Sequence, residues 1–272
     1  MTKESLQAHL DGVKRAVAEA GEAILDIYAD PSRFETEHKA DDSPLTAADL
    51  AANNVLVRHL QAMTPEIPVL SEESAQAPWA ERQQWSACWV VDPLDGTKEF
   101  LKRNDEFTVN VALIDGHRPV LGVVYAPALG RWYFAAEGLG AWRQDGDQPP
   151  VAIAVVDQDP QTPWRVVGSR SHPSEELQAF VDGLGSAELV SMGSSLKLCL
   201  VAEGAADIYP RLGPTSEWDT AAAHAVVKAA GGEVYNAHTG QPLTYNARES
   251  ILNPHFIVCA NPQAAWFDSS DH

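Results

Sequence analysis

The sequence predicts an α+β first half followed by an α/β second half, on three observations. Apolar residues near the N-terminus recur with helical spacing, short strands in the middle are separated only by Gly or Pro turns, and beyond Trp164 strands and helices alternate. Leu6, Leu10, Val13, Val17, Ala20, Ile24 and Ile27 return at intervals of four and three, which puts them on one face of a long helix that Pro31 stops. Thr46 and Asp49 form an N-cap pair that opens a second helix through about Met63. Strands are then expected over 88–91, 107–114, 120–126, 131–135 and 140–143. Neighbours so close in sequence imply an antiparallel sheet. The second half is expected to run strand 165–167, helix 174–184, strand 187–190, helix 194–203, strand 207–209 and helix 216–230. Gly231-Gly232 then supplies a left-handed C-cap. The polar, proline-containing stretch 157–163 is the expected seam, dividing the chain into 1–160 and 161–272. The sequence has neither an internal repeat nor a low-complexity tract.

Composition narrows the function classes. With 272 residues and 45% hydrophobic content the chain can bury a substantial core, and no apolar run is long enough to span a bilayer. Met1-Thr2-Lys3-Glu4 does not open a secretory signal, so a cytoplasmic location is expected, with peripheral contact at the inner membrane left open. Cys88, Cys199 and Cys259 are scattered and form no C-x-x-C pair, which fits a reducing compartment, excludes a thiolate zinc site and marks them as core residues. A net charge of −19 argues against nucleic-acid polymers and anionic lipid as partners. A small anion can still bind if metal ions reverse the local charge. Oligomeric state is not legible.

The densest chemical signal is the segment from Trp89 to Phe100, WVVDPLDGTKEF, an apolar strand running into two aspartates, a proline and a glycine. Pro93 fixes the backbone and Gly96 permits a sharp turn. Asp92, the Leu94 carbonyl and Asp95 can then converge, and hard cations take oxygen ligands of this kind. A solvated Asp-Gly turn is the alternative for this segment alone. Glu72 and Glu73 follow the apolar Val69-Leu70 run, and Asp219 opens an alanine-rich helix, where it is either a first-turn acid favoured by the helix dipole or a ligand. Phosphate-binding G-x-x-x-x-G-K-[ST], zinc-binding H-E-x-x-H and nucleophile-elbow G-x-S-x-G patterns do not occur.

Together, Ser71-Glu72-Glu73-Ser74, the D-P-x-D-G-T loop at Asp92 to Thr97, and Trp218 to Ala222 with Ala230-Gly231-Gly232 resemble the inositol monophosphatase superfamily of metal-dependent, lithium-sensitive phosphatases. The resemblance runs through nearly the whole chain and implies a layered αβαβα sandwich. It further implies Glu72, Asp92, the Leu94 carbonyl, Asp95 and Asp219 as ligands to two or three Mg2+ ions, with Glu73 behind them. Asp49 would hold the Thr97 hydroxyl so that Thr97 orients a water, with capping as the competing role for Asp49. Lys39 matches a loop lysine of the family or is simply solvated. Charge supports the ligand set, because Glu72, Asp92, Asp95 and Asp219 cannot crowd together ionised without cations.

Within the superfamily, Ser71, Glu99-Phe100, Gly168 to His172 and Gly193 to Lys197 look most like the bisphosphate-nucleotidase branch. That likeness implies 3'-phosphoadenosine 5'-phosphate as substrate, cleaved to AMP. Gly96, Thr97 and Asp219 would contact the scissile ester, with Ser195, Lys197 and Arg211 on the second phosphate and His172 near the adenosine. A helix N-terminus at Ser194-Ser195 would add backbone donors. Taken singly, Lys197 also reads as a surface lysine and His172 as a loop residue. The competing expectations are an inositol-1-phosphate or broad sugar-phosphate phosphatase and, from another class, a noncatalytic metal or phosphate binder. The Asp49 and Thr97 pair argues against the last, since a binder has no water to orient.

Overall fold

In the computed structural model, which describes residues 1–34, 36–38, 44–169 and 175–267, the chain folds into stacked layers in the order α, β, α, β, α. The first layer holds α1 (Lys3–Tyr28) and α2 (Ala47–Met63). The α1 stripe predicted from its period is buried as expected, and α2 buries Ala48, Ala52, Leu56 and Leu60 beside it. Between them β1 (Thr36–His38) and β2 (Pro44–Thr46) pair antiparallel.

The first large sheet contains, in chain order, β3 (Val69–Ser71), β4 (Ala87–Asp95), β5 (Thr108–Asp115), β6 (Arg118–Ala126), β7 (Arg131–Ala136), β8 (Gly140–Asp145) and β9 (Val151–Ala152). Two short helices, α3 (Trp79–Arg82) and α4 (Thr97–Lys102), flank β4. Only β3 and β4 run parallel; the later pairs are antiparallel, as their short turns require. Alternation along the strands serves both neighbours. Trp89, Val91, Val109, Val111 and Val123 face α1 and α2, while Cys88, Val90, Ala112 and Val124 face the middle layer.

The second sheet, in the spatial order β11-β10-β12-β14-β13, is built from β10 (Trp164–Ser169), β11 (Ala187–Met192), β12 (Ile208–Arg211), β13 (Glu233–Asn236) and β14 (Phe256–Cys259). Its outer face is covered by α5 (Glu175–Gly183), with Phe180 and Val181 on a cluster that includes Val166, Ile208 and Ile257. Between the sheets lie α6 (Leu196–Ala202) and α7 (Glu217–Ala229). α7 is buried on all sides, and its alanines allow close approach: a Cβ at Gly122 on β6 would lie 2.1 Å from the Ala222 carbonyl oxygen. It ends at Gly231 with φ +95, the left-handed stop expected.

The sandwich is the predicted one, with local corrections. β4 continues past Val91 to Asp95, because a bulge carries the pairing through Pro93 and Leu94. The helix expected over 194–203 starts only at Leu196, since Ser194 sits at φ +47. α3, α4, β1, β2, β13 and β14 were not anticipated, although Phe256–Cys259 is a plain apolar run. The three cysteines are free and buried, and among the described residues no helix is long and apolar enough to cross a membrane.

Candidate active site

The site forms where β4 leaves the first sheet. Asp92 pairs across with Asn110 and Asp95 with Thr108, so the strand spends three steps where its partner spends two. Asp92 Oδ1 accepts the Leu94 N–H at 3.0 Å, which folds the bulge onto the carboxylate. Gly96 then turns at φ +90, with the Glu106 carbonyl only 3.2 Å from where a Cβ would be, and hands the chain to α4 with Thr97 as its first residue.

Asp49 has a partner for each of the roles weighed for it, one on each oxygen. Its Oδ2 accepts the Thr46 N–H at 2.8 Å and the Thr46 hydroxyl at 2.6 Å, closing the capping box of α2. Its Oδ1 lies 3.3 Å from the Thr97 hydroxyl, which is also 3.4 Å from the Leu94 carbonyl oxygen. Asp219 repeats the device on α7: it is the third residue of the helix, and its Oδ2 accepts the Ser216 N–H at 2.8 Å. Glu72 follows β3, and its N–H donates to the Val91 carbonyl at 3.2 Å, bringing it alongside the end of β4. Asn53 of α2 supports that turn, taking the Ser71 hydroxyl at 2.7 Å and reaching the Glu73 carbonyl at 3.4 Å.

These acids feel one another strongly. Burial, and then the charges of Glu72, Asp95, Asp219 and Asp49, push the Asp92 carboxyl far above the ordinary carboxylate range. Burial and the Asp95 charge lift Asp219 to about 8, against the pull of the Ser216 N–H and Arg211. Burial raises Asp95 to about 6, although Lys197 and the Ser195 N–H draw it down. Among the described residues no three His, Cys, Asp or Glu side chains stand gathered as a finished metal shell. The donor set, carboxylates with one backbone carbonyl and no sulfur or imidazole, suits a hard cation.

A cleft of about 120 Å³ opens beside Asp95 and Asp219 toward the second sheet, lined also by Ser194, Ser195, Lys197, Tyr209, Arg211 and Thr220 among others. Lys197 comes from α6 and Arg211 from the end of β12, so elements distant in sequence bring two cations to one wall. The Lys197 ammonium lies 5.9 Å from the Tyr209 ring centroid, and burial draws its pKa down while Asp95 holds it up. Arg211 donates to the Pro214 carbonyl at 3.1 Å.

The sequence profile of the inositol monophosphatase family matches residues 6–265. The chain belongs to the inositol monophosphatase family. The 3'(2'),5'-bisphosphate nucleotidase CysQ of Salmonella typhimurium is 51% identical over 250 residues, covering 92% of this chain and 98% of the relative. The protein of that name from Escherichia coli is 50% identical over the same shares. Among solved structures, CysQ from Bacteroides thetaiotaomicron superposes with a TM-score of 0.84 at 45% identity, over 94% of this chain and 98% of that one. An inositol monophosphatase from Anabaena reaches 0.74 at 26% identity, over 94% and 92%.

In this member of the family Ser195 is spent differently from the expectation. Its N–H donates to Asp95 Oδ2 at 2.5 Å and its hydroxyl is bound to Asn110 and Thr108, so it offers no free helix-end donor to the cleft. Two buried donors that do line the cleft have no partner among the described residues, the Ser194 hydroxyl and Arg211 Nε. Ser194 was named from the sequence only with Ser195, as a source of backbone donors, and not for its hydroxyl. Only its left-handed backbone separates its task from that of Ser195, and the letters Ser-Ser do not carry that distinction. His172 and Lys39 lie outside the described residues.

Proposed function

We propose that this chain is a magnesium-dependent phosphomonoesterase that removes the 3'-phosphate of 3'-phosphoadenosine 5'-phosphate, releasing AMP and inorganic phosphate. The observation that carries the reading is the pair of orphaned donors, Arg211 Nε and Ser194 Oγ, beside Lys197 in the cleft that Asp95 and Asp219 also line. Buried donors without partners are costly unless a ligand satisfies them, and three donors with one or two positive charges suit a phosphate. A substrate with a second, nonreacting phosphate fills both ends of such a cleft. The names carried by relatives at about half identity point the same way.

Glu72, Asp92, the Leu94 carbonyl, Asp95 and Asp219 would hold two to three Mg2+ ions. Bound there, the ions would neutralise the scissile phosphate and make a water acidic enough to attack it. The remaining steps belong to the chain's own residues. Asp49 Oδ1 accepts a hydrogen bond from the Thr97 hydroxyl, which leaves a Thr97 lone pair to accept a hydrogen from the attacking water and aim its oxygen at phosphorus. Gly96 permits the left-handed turn that presents Thr97, since a Cβ there would crowd the Glu106 carbonyl. Lys197, Arg211 and Ser194 bind the 5'-phosphate and convert that binding into alignment of the 3'-ester. The first half of the chain, 1–160, thus supplies the water and most ligands, and 161–272 supplies the anchor and Asp219. Buried free thiols fit work in the cytoplasm. Phosphorus NMR of the reaction decides the point: the 3'-signal of the bisphosphate should vanish as AMP appears. Loss of the 5'-phosphate, or no turnover with Mg2+ present, would refute the reading.

A further inference from the structure

Thr108 and Asn110 on β5 are fully buried polar residues with no task in the reaction described so far. Both lie opposite proposed metal ligands, Asn110 across from Asp92 and Thr108 across from Asp95. Two apart on one strand, they share a face, and Ser195 sits across both. The Ser195 hydroxyl is 2.8 Å from Asn110 Oδ1 and 2.9 Å from the Thr108 hydroxyl. Since Asn110 Oδ1 can only accept, Ser195 donates to it and Thr108 donates to Ser195, which uses each proton once. The N–H of the same serine holds Asp95 Oδ2. Beside it, the Gly193 N–H donates to Glu106 Oε2 at 2.8 Å, and a Cβ at Gly193 would lie 2.8 Å from the Glu106 carbonyl, so the approach to Ser195 is closely confined. Asn110 Nδ2 is buried without a partner among the described residues.

We propose that Thr108 and Asn110 are positioning residues for the metal centre, seating Ser195 so that its N–H fixes Asp95 Oδ2 and leaves Oδ1 as the oxygen free to ligate. The inference rests on Asp95 being a ligand. Strand β5 then acts as a template: it sets the spacing of the two aspartates across the bulge, and the N–H of Ser195, just before α6, holds the second one. Residues behind a ligand commonly tune metal affinity by one to two orders of magnitude.

Metal-stripped protein titrated with Mn2+, followed by its paramagnetic resonance without substrate, tests this. Asn110→Ala and Thr108→Val should each weaken Mn2+ binding by about tenfold, while Thr108→Ser, which keeps the hydroxyl, should stay near wild type. The Mg2+ needed for half-maximal activity should rise in parallel, with kcat largely recovered at saturating Mg2+. Should Asn110→Ala fail to fold, the nearly isosteric Thr108→Val carries the test. Variants that melt earlier yet bind Mn2+ as wild type does would show a purely structural role and overturn the inference. Wild-type protein that binds no Mn2+ would instead overturn the metal reading itself.

Discussion

Asp49 and Asp219 show how one carboxylate can serve a fold and a site together. Each sits at the third position of its helix and spends one oxygen on the helix cap; the other oxygen of Asp49 meets the Thr97 hydroxyl, and the Asp219 carboxyl feels the Asp95 charge. Asp49 was legible in the sequence as either a cap or a partner of Thr97, and its two oxygens make hydrogen bonds of both kinds. If Thr97 aims a water, Thr97→Ala should lower kcat by roughly 10² or more with little change in KM. Asp49→Asn should behave alike, and the double substitution should lose hardly more than either single one. Multiplicative losses in steady-state kinetics would contradict that coupling. Asp92→Asn removes a proposed metal ligand and replaces a carboxyl whose ionisation burial and neighbouring charges oppose, so it should abolish nearly all activity while the metal-free protein melts no lower than wild type. Ser194 and Asn110 were not legible, because what distinguishes them is a positive φ and a cross-strand partner, and neither has a local sequence signature.

At the level of elements, the helices and strands with a clear period were readable, and those shaped by long-range contact were not. The α1 stripe and the alternation through β5 and β6 follow from burial on known faces. β4 extends through Pro93 only because β5 continues to pair with it beyond a bulge, and α6 starts late because Ser195 is held by β5 and by Asp95. Strand β13 pairs with β14 across the stretch from 237 to 255, too long for a hairpin turn to announce the partner. The cap of α2 gives a test at this scale. Thr46 is buried, accepts the Ala48 N–H at 3.2 Å and donates to Asp49. Thr46→Ala should cost about 1 kcal/mol in denaturant unfolding and also depress kcat, as Asp49 loses a restraint. Thr46→Ser should preserve both. A destabilised Thr46→Ala enzyme with full kcat would show that the cap and the water-orienting pair are independent.

For the whole molecule, the net charge is −19, and Glu72, Asp95, Asp219 and Asp49 bring part of it to bear on buried Asp92. There the fold tolerates buried carboxyls only by keeping them protonated or by gaining cations. Asp95 at about 6 and Asp219 at about 8 stand above their ordinary value of 3.8, so the folded state binds protons more tightly than the unfolded chain. Their contribution to stability is complete at low pH and is lost as pH rises through about 6 and then about 8. Calorimetry of the metal-free protein should therefore show this contribution falling across that window, and Mg2+ should restore stability most at the alkaline end. A Mg2+ effect that is largest at acid pH would contradict the assignment. The central claim joins these acids to the cations across the cleft, and kcat/KM with Mg2+ for 3'-phosphoadenosine 5'-phosphate and for 3'-AMP, in wild type and in Lys197→Ala and Arg211→Ala, tests it most directly. Charge-assisted contacts of roughly 1.5–3 kcal/mol each predict that the wild type prefers the bisphosphate by tenfold or more, and that each substitution erodes this preference while 3'-AMP turnover barely changes. Equal losses on both substrates, or a wild type that favours 3'-AMP or inositol-1-phosphate, would contradict it.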